Sequence, residues 1–193
     1  MPLLINKLKI LKCNIVLLIF LSASFVLGFF LGIFFRNNCC DSPYFNGVYN
    51  YYICIFNVET SVFAIFFKRF FACLGVYLVV FLLGLNKYSA FASSIILFYR
   101  GLILGSVAAI FISLYGISGF LVYVFLVLIQ NLIITVGMII AAVLNAYYSD
   151  SSFNCKINEL IADFIVSFGV CLAGVLYELL FLTFVLRPLT LWF

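Results

Sequence analysis

Five long apolar runs, covering residues 14–35, 58–85, 89–115, 119–145 and 160–186, make up most of the chain, and short polar breaks separate them. A hydrocarbon core of about 30 Å is crossed by roughly 20 helical residues rising about 1.5 Å each. The first run fits one crossing. The second is longer than one crossing needs, contains no proline and follows Asn57, a suitable N-cap. Residues 59–69 read as an interfacial helix that holds Lys68 and Arg69 at the headgroups, and 70–85 as the membrane core of the second helix. Asn86-Lys87 turns the chain into the third run, and Gly116-Ile117-Ser118-Gly119 turns it into the fourth. A polar loop over 147–158 leads to the fifth, which stops at Arg187-Pro188. The predicted fold is an all-α integral membrane protein, one domain over 1–193, with about five transmembrane helices and an interfacial helix before the second.

Lys7, Lys9 and Lys12 precede the first run and place its start in the cytoplasm. That run is too long for the apolar part of a signal peptide. It also leaves through Phe35-Arg36-Asn37, where a cleavage site would need small residues. Lys87 and Lys156 then fall inside, and Arg36, Lys68, Arg69 and Arg187 outside, so the orientation rests on the first helix. Residues 36–57 become an outer loop carrying Asp41-Ser42-Pro43 and Asn46-Gly47 turn signals, with Tyr44, Phe45, Tyr49, Tyr51 and Tyr52 suited to a bilayer surface or a partner. Cys54 is free to pair with Cys39 or Cys40 if that compartment is oxidising. The C-terminus falls outside, with Trp192 at the outer interface.

Composition agrees with this reading and narrows the chemistry. With 68% hydrophobic residues, 8% charged residues and a mean hydropathy of +1.35, the chain cannot bury its apolar surface as a water-soluble domain. Aromatic residues at 20% suit lipid-facing helices and interfacial belts. A net charge of +4, scattered along the chain, gives no basis for nucleic-acid binding and favours an anionic leaflet. There is no histidine, so the Ser/His/Asp and Cys/His devices and His-ligated metal sites lack their parts. None of the seven cysteines forms a CxxC pair, and Cys13, Cys73 and Cys171 lie in apolar runs as small buried thiols. No metal site and no cofactor are expected. Nor is catalysis: Asp163 and Glu178, the acid-base candidates, sit about 22 Å apart along one helix and cannot meet on one bond.

Candidate chemistry lies in the polar residues inside the runs. Arg100 stands near the middle of the third helix and Gln130-Asn131 at similar depth in the fourth, where the carbonyl oxygens of both amides can accept guanidinium hydrogen bonds. On the fifth helix Asp163, Ser167, Cys171, Gly174 and Glu178 share one narrow stripe, which offers a counter-charge. The intramembrane polar cluster is therefore Arg100, Gln130, Asn131, Asp163 and Glu178. It reads either as an internal brace or as a conduit or substrate site. Small residues supply close packing: Gly28 and Gly32 in the first helix, Gly101 and Gly105 in the third.

The segments FLLGL, FYRGLILGSVAAI, LYGISGFL and LIQNLIITVGMIIAA follow one another in this order. Together they resemble the stage II sporulation protein M family, in which a basic residue followed by Gly-x-x-x-Gly opens one helix and a Pro-Gln-Asn-Leu-Ile run marks the next. Arg100, Gly101 and Gly105 match the first element, and Gln130-Asn131-Leu132-Ile133 the second. Ile129 stands where the family has proline. The resemblance implies a non-enzymatic membrane scaffold of the sporulation engulfment machinery, located in the cell membrane and, in sporulating cells, in the septal membrane. Its partners would be membrane lipid, peptidoglycan hydrolases and a second copy of the chain as a homo-oligomer. The competing class is a small transporter or channel subunit with the Arg100 cluster as its site.

Overall fold

The computed structural model describes residues 14–38, 61–84, 88–149, 157–181 and 183–184. The expectations for Lys7, Lys9 and Lys12, for Cys39, Cys40, Cys54 and Asn57, and for Lys156, Arg187 and Trp192 fall outside the described residues. Every described element is a helix: α1 (Ile15–Asn38), α2 (Val62–Gly84), α3 (Ser89–Val122), a π-helical turn (Tyr123–Leu128), α4 (Ile129–Ser149) and α5 (Ile157–Phe181). Among the described residues five stretches are long and apolar enough to cross a membrane: Ile15–Arg36, Phe63–Leu83, Ser89–Ser113, Tyr115–Ala146 and Phe164–Phe181. The chain is a multi-pass, all-α membrane protein.

Hydrocarbon offers no hydrogen bonds, so each helix must satisfy its own polar groups. In α1 the Ser22 and Ser24 hydroxyls donate to the carbonyls four residues back, Leu18 at 2.8 Å and Phe20 at 2.9 Å. At the start of α2 the Ser61 hydroxyl accepts from the Ala64 amide at 3.3 Å, an N-cap that the sequence reading did not single out.

α2 runs unbroken past Arg69, so the segment expected to lie at the interface and the second crossing are one helix. Lys68 is exposed, whereas Arg69 turns inward, because neighbours on a helix point about 100° apart. The expectation that Arg69 sits at the headgroups is corrected: its side chain keeps 20% of its surface exposed and is paired inside the bundle.

The reversal between the third and fourth crossings happens at Gly116. Its φ of 59° and ψ of −134° suit a residue without a Cβ, and it interrupts α3 between Tyr115 and Ile117. The returning chain packs against α3, with the Tyr123 hydroxyl donating to the Leu104 carbonyl at 3.1 Å. The π-helical turn follows, in which the Ile129 amide reaches the Val124 carbonyl five residues back. The irregular backbone thus ends immediately before Gln130 without a proline at position 129.

The contacts fix the relative directions of the helices. α1 and α3 run parallel, since Phe25 and Phe29 of α1 lie beside Gly101 and Gly105 of α3. α2 and α5 are antiparallel, as Arg69 meets Glu178 and Tyr77 meets Ser167. α4 and α5 are antiparallel too, with Gly174 against Gln130 and Gly137 against Ser167. α1, α3 and α5 therefore point one way and α2 and α4 the other, the alternation that five successive crossings require. Fully buried Leu21, Tyr77, Val107, Val127, Val143 and Cys171 belong to the common core.

Candidate functional site

Two features stand out, a glycine seam and a polar cavity. At the seam the two Gly-x-x-x-Gly pairs face each other. A Cβ on Gly28 would fall on the Phe98 carbonyl oxygen and one on Gly32 on that of Leu102; one on Gly101 would fall on the Phe25 carbonyl oxygen and one on Gly105 on that of Phe29. The backbones touch directly, which small-residue spacing permits and any side chain would prevent. Ser106 completes the contact, its hydroxyl lying 2.8 Å from the Leu102 carbonyl and 3.3 Å from that of Gly32.

The seam fixes α3 and so fixes Arg100, which precedes Gly101 and points the other way. Its Nη2 donates to Asn131 Oδ1 at 2.9 Å and its Nη1 lies 3.4 Å from the Met138 sulfur, a weak acceptor. The Arg100 Nε is buried and has no hydrogen-bond partner. Asn131 is held in turn, its Nδ2 donating to the Val127 carbonyl at 2.7 Å at the end of the π-helical turn. The carboxylate expected for Arg100 is engaged elsewhere. Glu178 Oε1 accepts from Arg69 Nε at 3.0 Å, so the sequence-based pairing of Arg100 with Glu178 is replaced by Arg69 with Glu178.

These groups line a cavity of about 310 Å³ between α2, α3, α4 and α5, together with Gln130 and Cys73. Gln130 is 1% exposed, and its Oε1 is buried with no partner. Of the five residues of the expected cluster, four (Arg100, Gln130, Asn131 and Glu178) meet at this cavity. Asp163 lies on the same helix as Glu178, about 22 Å away along its axis by helical rise alone, and its side chain is outside the described residues. Arg69 is the member that sequence reasoning missed. Its signal was the spacing Arg69, Cys73, Tyr77 and Val80, a helical stripe whose last three members are all buried.

Beneath the cavity the polar residues tie helix to helix. Asn145 Nδ2 donates to the Val80 carbonyl at 3.0 Å and the Tyr77 hydroxyl to the Ser167 carbonyl at 3.0 Å. Within their own helices the Thr135 hydroxyl bonds the Asn131 carbonyl at 2.6 Å and the Ser167 hydroxyl that of Phe164 at 3.1 Å. Tyr77, Cys171 and Met138 fill the space around them at 1% exposure or less. Among the described residues no group of three His, Cys, Asp or Glu side chains is placed to hold a metal ion. The charged and amide side chains that line this cavity are two guanidiniums, two amides and one carboxylate, and the carboxylate is paired with Arg69. No family model, curated protein or solved structure matches the chain.

Proposed function

We propose that the chain is a non-enzymatic membrane scaffold that holds peptidoglycan hydrolases at the septal membrane of sporulating cells, as the stage II sporulation protein M resemblance implies. The observation that carries this reading is the 2.9 Å bond between Arg100 and Asn131. It joins the two elements on which the resemblance rests, and the π-helical turn ending beside Ile129 supplies the irregularity at the place where the family has proline. The packing beneath the cavity speaks against the transporter reading, because the polar groups there bond backbone carbonyls around fully buried side chains.

The test is affinity purification of the tagged protein from its own cells during sporulation, with every recovered protein identified. The expected outcome is enrichment of cell-wall hydrolases, lost when residues 44–52 are replaced by a Gly/Ser run while membrane insertion persists. Solute flux in proteoliposomes that depends on this protein, with no hydrolase recovered, would overturn the scaffold in favour of a conduit.

A further inference from the structure

Arg100 stands one residue before the middle of the Ser89–Ser113 crossing, a depth at which a charged side chain needs a partner. Of the charged side chains that line the cavity, Arg69 and Arg100 are positive and Glu178 is negative, and Glu178 is held by Arg69 at 3.0 Å. Among the described residues the cavity therefore carries one net positive charge. Arg100 itself faces an amide oxygen and a thioether where an ion pair would need a carboxylate. Those two contacts use one N–H of each terminal nitrogen, Nη2 on Asn131 and Nη1 on Met138, and each nitrogen carries a second. A single carboxylate from outside the chain would meet these donors and make the site neutral.

Ala72 and Val76 of α2 and Tyr99 of α3 line the cavity and are exposed on the outside of the bundle. Ala72 and Val76 lie one and three residues from the middle of the Phe63–Leu83 crossing, so the opening faces acyl chains. A water-borne anion or a lipid headgroup does not reach that depth, whereas a transmembrane helix carries its own side chains there when it inserts. The α2 wall of the opening is shallow. Beside Ala72 and Val76 stands Gly75, where a Cβ would meet nothing within 4 Å, so another backbone can come close. The cavity, at about 310 Å³, has room for a side chain from such a helix. A second copy has no suitable group to offer, because Glu178 is paired and Asp163 precedes the first residue of the Phe164–Phe181 crossing. We propose that the groove between α2 and α3 docks a transmembrane helix of another protein that carries one Asp or Glu near mid-membrane, with its carboxylate reaching Arg100. This goes beyond the scaffold reading, which places recruitment in residues 44–52, and either can fail without the other.

The probes are two synthetic Leu/Ala transmembrane peptides, identical save for one Glu or one Gln at the middle position, reconstituted with the full chain in phosphatidylcholine vesicles. Association is read by energy transfer between a fluorophore on the chain and one on the peptide, titrated against peptide density. The Glu peptide is expected to associate saturably, and the Gln peptide roughly tenfold to a hundredfold more weakly, the range for a hydrogen bond to a charged group. Arg100→Gln should abolish that preference. If Arg100→Gln fails to accumulate, Val76→Trp decides: it changes an exposed position, leaves the polar groups in place and should fill the opening. Equal association of the two peptides with the wild type, or undiminished association of the Glu peptide with Arg100→Gln or with Val76→Trp, would overturn the site. Saturable self-association of the chain without peptide, lost in Val76→Trp, would overturn the separate partner in favour of a second copy.

Discussion

Between α1 and α3 paired glycines bring backbone onto backbone, whereas α2 is joined to α4 and α5 by side-chain donors on carbonyl oxygens. The first seam contains Gly28, Gly32, Gly101 and Gly105 and one shared serine hydroxyl; in the second Tyr77 donates to the Ser167 carbonyl and Asn145 to the Val80 carbonyl. In lipid neither seam gains from removing apolar surface from water, so each must win by contact or by hydrogen bonding. The glycine seam wins mainly by contact, with the Ser106 hydroxyl bond added, and tolerates no added atom at its glycines. The polar seam rests on separate modest bonds, so the loss of one leaves the other in place.

The largest effect expected from breaking this contrast is at the glycines. Gly105→Leu would drive a side chain into the Phe29 backbone, which cannot rotate away as a side chain could, so the loss should reach about 3 kcal/mol or more. The variant should fail to accumulate in membranes, as read by immunoblot of the membrane fraction. Gly75 and Gly169 are the internal controls, since a Cβ there meets nothing within 4 Å. Alanine at either should be neutral or stabilise the helix by up to about 1 kcal/mol. Accumulation of Gly105→Leu at wild-type level would end the claim that the two seams differ in kind.

A smaller effect is expected at the ion pair. Glu178→Leu leaves the Arg69 Nε without its acceptor in a partly buried position and should cost about 2–3 kcal/mol, below the usual figure for a fully buried pair because Arg69 keeps some exposure. Arg69→Leu combined with Glu178→Leu should recover most of that loss, and Arg100→Leu combined with Glu178→Leu should not. Thermal melting of the purified single and double variants separates the two pairings. Rescue by the Arg100 combination would mean that Glu178 serves Arg100 after all.

That pairing also marks where sequence reasoning stops. The run lengths, the glycine spacings, the meeting of Arg100 with Asn131 and the buried stripe of Ser167, Cys171, Gly174 and Glu178 are all legible, because each follows from a period along one helix or from a polar residue that hydrocarbon will not tolerate alone. The partner of Glu178 was not. Arg69 follows Lys68, and two adjacent cations near the start of a run resemble a pair held at the headgroups. Only the continuity of α2 with its buried residues Cys73, Tyr77 and Val80 reveals that one of the two faces inward. Nor could the facing of Gly28 and Gly32 with Gly101 and Gly105 be read, since a spacing within a helix does not name its neighbour.

Within the polar seam the effect of a single bond should be smaller again. Asn145→Ala removes the donor to the Val80 carbonyl, and a bond between helices of this kind in a membrane contributes about 0.6–2 kcal/mol. A drop in melting temperature without loss of accumulation is the expected outcome, and complete failure to insert would show that this seam is as intolerant as the glycine one.

The smallest effect should come from Tyr77→Phe, which also tests how the polar seam differs from the cavity above it. The hydroxyl donates to the Ser167 carbonyl at 3.0 Å, and the ring packs edge-on against Phe164 and Phe168 at 6.0 and 5.6 Å between centroids. The phenyl ring keeps all of that packing. The Ser167 carbonyl loses only a side-chain donor, so the cost should be about 0.5–1 kcal/mol, within the range for one hydrogen bond in a membrane bundle. The space left by the oxygen lies beside Gly137, where a Cβ would otherwise meet the Tyr77 hydroxyl. Gly137→Ala in the Tyr77→Phe background should therefore be milder than in the wild type, though still limited by the Ser167 carbonyl on its other side. A melting series of the two single variants and the double variant measures that coupling directly. Strict additivity would mean that the hydroxyl and the glycine do not share a space.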